Sequence, residues 1–196
     1  MQTVPLRRLG KTGAEVPAIG VGTNRWSFGA NDAPVFETYQ ALVDAGGGFI
    51  DTAEVYGLGK SERLLGECLR KDARPVFVAS KFAPFVARTS PRHLIGALDA
   101  SLGRLGLASG RLAAPPAGAR PDKLGAVRRA LADVAQAHQA TPSQSALNWL
   151  LARDPRVILI PGATKAPHAK ANLGALDWRL TDEEFALLDA ASAPAM

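Results

Sequence analysis

Three side chains in the N-terminal half have types and spacings that could do chemistry together: Asp51 and Tyr56 in FIDTAEVYG (49–57), and Lys81 in PVFVASKF (75–82). Asp51 and Lys81 each follow a short apolar run of the kind that forms a buried strand, so both stand where a strand hands over to a loop. A charged residue there is either a cap or a functional group, and Asp51 alone does not distinguish the two. Tyr56 and Lys81 favour function. A lysine beside a phenol favours the phenolate, a carboxylate can pair with the lysine and hold it in place, and such a tyrosine can donate a proton to a carbonyl oxygen. That donor needs an electron source. With neither metal-ligand spacing nor a cysteine pair in the chain, hydride from a nicotinamide is the natural complement. No G-x-G-x-x-G stretch lies between strand and helix, which argues against a Rossmann-type site.

The elements that must position these residues alternate. VPLRRLGKTGAEVPAIGVG reads as a β-hairpin with Gly13 at its turn, leading into a buried strand at about 18–22. A helix over 34–46 ends on a glycine, GFIDTA is the next strand, SERLLGECLRKD the next helix and PVFVASK the next strand. Ser90 as N-cap and Pro91 in the first turn open a helix ending in SLGRLGL. The Ala/Pro/Gly/Arg-rich stretch after it, 108–121, is expected to be a loop or linker. A helix follows at 122–138, then another from 142 behind a Thr141/Gln144 capping box. VILIPGA is a fourth buried strand, 166–174 a helix, and Thr181 with Glu184 caps the last helix. Apolar strands alternating with amphipathic helices imply an α/β fold of parallel strands buried on both faces, joined by right-handed crossovers. Functional groups then collect at the strands' C-terminal ends. Four core strands make about half of a closed eight-stranded barrel.

At 196 residues, 47% hydrophobic and 21% charged, the chain has the composition of a single globular domain. Its net charge of +5 comes from scattered bases with carboxylates among them, and no aromatic platform accompanies them, so no nucleic-acid partner is expected. MQTVPLRRLGKTG has no apolar signal core, and no apolar run is long enough to cross a bilayer, so the expected location is cytoplasmic with no membrane partner. The lone Cys68, in the amphipathic pattern SERLLGECL, reads as a buried structural thiol. Trp149 and Trp178 fall in helix-flanking apolar patterns and read as core. Trp26, in the loop after the first strand, reads as core with a substrate-pocket wall as the alternative.

RRLGKTGAEVPAIGVGT, GGFIDTAEVYGLGKSERLLGECL, VFVASKF, SLGRLGL, TPSQSALNWLLAR and IPGATKAPHAKANLGALDWRLTDEE occur in that order, and together the chain resembles the aldo-keto reductase family over almost its whole length. The resemblance implies a (β/α)8 TIM-type barrel fold, NADP(H) as cofactor and a small carbonyl substrate. It makes Asp51, Tyr56 and Lys81 three members of the family's catalytic tetrad, with Tyr56 the general acid. It also assigns Gly162, Ala163, Thr164, Lys165, His168 and Asn172 to the cofactor's phosphates, together with Thr23, Ser109 and Gly110 as further cofactor contacts. No metal is implied. The glycine turn after VILIP suits an anion, because backbone N–H groups and a helix N-terminus face it and Lys165 adds charge. His168 departs from the Arg or Gln often found there, and a neutral imidazole grips a 2′-phosphate less firmly.

The family's fourth catalytic residue, a histidine at the end of its fourth strand, has no counterpart: His93, His138 and His168 all lie in helices or the cofactor segment. LGRLGL matches the end of the third barrel helix, and ASGRLAA directly after it resembles the loop following the seventh strand. The resemblance therefore implies an internal deletion of strands four to seven. What remains is a single truncated domain over 1–196, with β/α units at 1–107, a junction at 108–121 and the C-terminal helices, last strand and cofactor segment at 122–196. Because the eighth strand neighbours the first in a closed barrel, the retained strand order is expected to be 8-1-2-3. Such a half barrel exposes two strand edges, and a homodimer is the expected cover. Two functions follow from this reading: an impaired NADP(H)-dependent reductase of aldehydes or ketones, or a non-catalytic cofactor-binding remnant or self-associating scaffold.

Overall fold

The structure is a computed structural model that describes residues 4–27, 33–83, 88, 90–109, 112–113 and 124–192. The expected hairpin is present: β1 (Leu6–Arg8) pairs antiparallel with β2 (Glu15–Pro17), and Gly13 takes a φ of 79° in the turn. A hairpin this short needs a tertiary anchor, and Arg7 supplies one. Its guanidinium donates to the carbonyls of Leu151 and Asp154, each at 3.0 Å, and to that of Val157. These carbonyls lie at and beyond the C-terminus of α5 (Pro142–Arg153), where a cation also meets the negative end of the helix dipole.

The central sheet is parallel, in the order β3 (Val21–Gly22), β4 (Phe49–Asp51), β5 (Phe77–Lys81), β6 (Leu112–Ala113). On the far side of β3 runs VILIPGA, joined by the parallel bridges Ile19 to Leu159 and Gly22 to Gly162. The expected neighbourhood of last, first, second and third strands is therefore present, although the last strand pairs through bridges rather than a continuous ladder. The segment 108–121 corrects the sequence reading. It was expected to be loop or linker throughout, yet Leu112 and Ala113 pair with Ser80 and Lys81 and form a fifth member of the sheet. The physical reason is the outer edge of β5, whose N–H and C=O groups otherwise lack partners; even two residues can pair them locally.

The helices match the sequence pattern to within about two residues at most ends: α1 (Ala33–Asp44), α2 (Lys60–Lys71), α3 (Pro91–Leu105), α4 (Leu124–Ala137), α5, α6 (Ala166–Leu173) and α7 (Asp182–Ser192). Both capping boxes form. Thr141 Oγ1 accepts from the Gln144 N–H at 3.2 Å while the Gln144 side chain accepts from the Thr141 N–H at 2.8 Å, and Thr181 and Glu184 do the same at 3.2 and 2.9 Å. The main core gathers Ile19, Val21, Tyr39, Leu42, Ile50 and Leu65, all essentially inaccessible, beneath α1, α2 and α6. A second, smaller core of Ala130, Val134, Trp149 and Leu188, with Trp178 against it, joins α4, α5 and α7. Cys68 is buried in the main core, and burial pushes its thiol up to about 11, as befits a structural side chain. None of the helices among the described residues is long and apolar enough to cross a membrane.

The packing of α2 on α3 depends on a close approach at Gly66. A Cβ there would lie 2.4 Å from the Arg104 carbonyl oxygen and 3.1 Å from Leu105 Cα. Backbone atoms cannot move aside as a side chain can, so Gly66→Ala should destabilise by about 2 kcal/mol or more, although alanine favours an isolated helix by about 1 kcal/mol. Urea unfolding checks this: a midpoint lowered at constant m-value is expected.

Candidate active site

The site forms where the sheet's C-terminal ends come level. Gly22 pairs with Gly162 on one side and with Asp51 on the other, and Asp51 pairs with Ala79, so one row crosses four neighbouring chains. Gly162 and Asp51 are thus two strands apart, roughly 10 Å at the usual spacing. Gly22 is needed in that row, since a Cβ there would lie 2.8 Å from the Ile160 carbonyl oxygen.

Asp51 ends β4, Lys81 ends β5, and Tyr56 follows in the loop before α2. All three meet. The Lys81 ammonium donates to Asp51 Oδ2 and, at 3.1 Å, to the Thr52 carbonyl, and it lies 5.5 Å from the centroid of the Tyr56 ring. Asp51 is 7% exposed. Burial pushes its carboxyl up, and the hydrogen bond and charge of Lys81 offset this only in part, so it stays above the usual carboxylate range. The pair is held from below by buried hydroxyls. Ser61 Oγ reaches Thr23 Oγ1 at 2.7 Å, the Thr23 carbonyl at 3.1 Å and Thr52 Oγ1 at 3.2 Å, while the Thr23 N–H donates to the Asp51 carbonyl at 2.9 Å.

Beside the site, Glu54 accepts two hydrogen bonds from Arg88, at 2.7 and 3.0 Å, and one from the Ala83 N–H at 2.9 Å. Glu62, fully buried at the start of α2, accepts from Ser80 Oγ and Arg104 Nε, both at 2.6 Å. Sequence reading missed Ser61, Glu54 and Glu62. Ser61 and Glu62 carry only the signal of polar residues at the start of α2, and Glu54 only that of a charge in the loop between Asp51 and Tyr56.

Of the residues assigned to the cofactor, Gly162, Thr164, Lys165, His168 and Asn172 gather where the VILIPGA chain enters α6, and all retain exposure. Lys165 is the N-cap of α6, Thr164 Oγ1 lies 3.4 Å from His168 Nδ1, and Asn172 Nδ2 donates to the Gly162 carbonyl at 3.5 Å. Ala163 is buried, and its carbonyl accepts from Trp26 Nε1 at 2.7 Å. Trp26 is thus a buried strut that fixes the turn. Two further assigned residues, Thr23 and Ser109, have the following surroundings. Thr23 is fully buried with its hydroxyl bonded to Ser61, because it points between β3 and α2 rather than to the surface. Ser109 is exposed, a short way before β6 along the chain. Gly110 lies outside the described residues. No histidine stands at a strand end: His93 is in α3, His168 in α6, and His138 follows α4, where it bonds Glu184 at 2.9 Å and stacks on Trp178.

Parallel strands with intervening helices and polar groups at their C-terminal ends define a protein of TIM-barrel type, here with part of the barrel. The aldo/keto reductase family profile matches residues 18–110 and 118–193, and the chain belongs to that family. The break between the matched blocks falls inside the stretch where the sequence reading set the deletion junction. An uncharacterized oxidoreductase of Mycobacterium bovis, Mb2320, is 41% identical over 105 residues, 47% of this chain and 32% of its own length. The pyridoxine 4-dehydrogenase of Escherichia coli is 44% identical over 62 residues, 32% of this chain and 22% of its own length. The chain thus spans about a third or less of the curated relatives it matches. Among solved structures, an aldo-keto reductase from Klebsiella pneumoniae in complex with NADPH superposes with a TM-score of 0.83 at 21% identity, over 99% of this chain and 97% of that one. At that identity the likeness establishes the fold.

The buried pair carries a stability prediction. Lys81→Met leaves the Asp51 carboxylate without its cation and should cost about 2 to 3 kcal/mol at neutral pH, below the fully buried case because Lys81 is partly solvated. Asp51 has a raised folded-state pKa, so protonating it favours the folded chain. The deficit should therefore shrink as pH falls through that raised value, and adding Asp51→Asn should abolish the pH dependence. Thermal melts across pH check both.

Proposed function

We propose that the chain is an NADP(H)-dependent reductase of small aldehydes or ketones, with activity impaired by the loss of half its barrel. The observation that carries this reading is the meeting of Asp51, Lys81 and Tyr56 at the sheet's C-terminal ends. Tyr56 gives its phenolic proton to the carbonyl oxygen, and Lys81, held by Asp51, places a positive charge beside the phenol as it loses that proton.

The donor set at the head of α6 fits the phosphates of a dinucleotide. A helix N-terminus, the Lys165 ammonium, the Thr164 hydroxyl and the Asn172 amide all stand within one turn and its first helix. When bound, NADPH would supply the hydride. Lys165 and the helix end hold the anion, and Trp26 keeps the turn that presents them fixed to the sheet. The aldo-keto reductases of Klebsiella pneumoniae that share this fold, solved with NADPH or NADP bound, support the same choice of cofactor.

A second reading, a binding remnant without turnover, is favoured by one observation: no histidine occupies a strand end to orient the carbonyl. A positioned hydrogen-bond donor of that kind contributes about 10²-fold or more. In either reading a second copy of the chain, pairing edge to edge, covers the open strands.

The test is carbonyl-dependent oxidation of NADPH by the parent and by Tyr56→Phe, alongside cofactor affinity. The reductase reading expects slow turnover that Tyr56→Phe lowers by about 10²-fold without changing the NADPH Kd. NADPH binding without turnover would establish the remnant. An unaltered rate in the variant would remove Tyr56 as the proton donor.

A further inference from the structure

Tyr56 sits in a loop with little preference for its own shape. The three residues after it, Gly57, Leu58 and Gly59, have φ of 57°, 53° and 81°, a backbone that glycine adopts freely and leucine does not. The Tyr56 backbone is tied on both sides: its N–H donates to the Ala53 carbonyl at 3.1 Å, and its carbonyl accepts from the Ser61 N–H at 3.3 Å. Ser61, the second residue of α2, is fully buried. Its hydroxyl lies 3.2 Å from Thr52 Oγ1 and bonds Thr23 at 2.7 and 3.1 Å. The Thr52 carbonyl in turn accepts from the Lys81 ammonium at 3.1 Å. Ser61 therefore bonds both to Tyr56 and to the residue that holds Lys81, and three hydrogen bonds run from the phenol-bearing residue to the ammonium. Lys81 meets the Tyr56 ring only as a cation 5.5 Å from its centroid. That attraction is soft in distance, so the spacing is set by the frame that carries the two residues.

We propose that Ser61 is a positioning residue: its hydroxyl holds Thr52 while its N–H holds Tyr56, and together they set the spacing of the Lys81 ammonium and the Tyr56 ring. Only the hydroxyl is the serine's own contribution, since any residue but proline supplies the N–H. Thr23 and Thr52 are themselves fully buried. Without the Ser61 hydroxyl they lose a partner that water cannot easily replace, and they shift to meet the need. A shift of Thr52 moves the carbonyl that Lys81 takes. Ser61 touches no reacting atom. The kinetic arm of its test rests on the reductase reading above; the spectroscopic arm does not.

The experiment compares the parent with Ser61→Ala, Ser61→Cys, Tyr56→Phe and the double variant Ser61→Ala/Tyr56→Phe, each first checked for a parent-like circular dichroism spectrum. Ser61→Ala is expected to lower kcat for carbonyl reduction about tenfold with the NADPH Kd unchanged. In the Tyr56→Phe background it should lower the residual rate by less than about twofold, because the phenol it positions is gone. A staple that merely stiffens the fold would cost the same factor in both backgrounds, and that result overturns the proposal. Independently of turnover, the ring ¹H–¹³C resonances of Tyr56, assigned by their loss in Tyr56→Phe, should move in Ser61→Ala in the direction they move in Lys81→Met. Those of Tyr39, the chain's other tyrosine, should stay in place. Tyr56 resonances unmoved by Ser61→Ala, or moving only together with those of Tyr39, overturn it as well. If the parent oxidises no NADPH with any carbonyl, the reductase reading fails and the resonances alone decide the role of Ser61. If Ser61→Ala does not fold, Ser61→Cys, which keeps the volume but hydrogen-bonds weakly, carries the same comparison in both arms.

Discussion

A carboxylate buried at the end of a parallel strand has to be neutralised, and much of the site follows from how this is done for Asp51. The nearest cation comes from the next strand, so β4 and β5 must lie side by side and in register, Asp51 opposite Ala79 with Lys81 two residues beyond. The ammonium also takes the Thr52 carbonyl, which fixes the chain just past Asp51 and so the direction in which it leaves toward Tyr56. Each consequence recruits another. Thr52 is tied to Ser61, Ser61 to Thr23, and Thr23 back to the Asp51 backbone, so β3, β4 and the first turn of α2 are closed into one hydrogen-bonded loop. Fully buried hydroxyls of this kind hold position well because none of them can exchange a partner for water without moving backbone.

The same economy explains the two carboxylates around α2. Glu54 is matched to Arg88 and Glu62 to Arg104, while Lys81 is the partner of Asp51. Arginine's fork can satisfy a carboxylate with two bonds in a fixed plane, whereas lysine is a point charge that can be shared or drawn away. Arginines thus satisfy Glu54 and Glu62, and the lysine pairs with Asp51.

The half barrel brings its own constraint at the sheet edges. Strands that would be interior in a closed barrel become edges, and β6 supplies partial cover to the edge of β5. The head of α6 fares differently. It remains next to β3 through Gly22, and Trp26 ties its turn to the same strand's exit, so the turn before α6 and the Asp51 row stay at one level.

Most elements were legible in the sequence because their determinants are local. Hydrophobic period, Gly13 in its turn and the two capping boxes act within a few residues, and each appears where the pattern set it. Asp51 and Lys81 were legible as strand-end residues as well, since a charged residue that ends a buried run stands out against its neighbours. Pairing across the sheet was not. Leu112 and Ala113 carry no strand signal, and only the unpaired edge of β5 makes them one. Nothing along the chain shows that the Thr23 hydroxyl faces Ser61 in α2. The choice of Arg88 for Glu54, Arg104 for Glu62 and Lys81 for Asp51 is likewise invisible along the chain. The sequence by itself determined which segments become strands and helices and which residue types stand at their ends; the tertiary structure alone decided which charges face each other, because partnerships between residues 18 to 42 positions apart are set by register and burial, not by spacing.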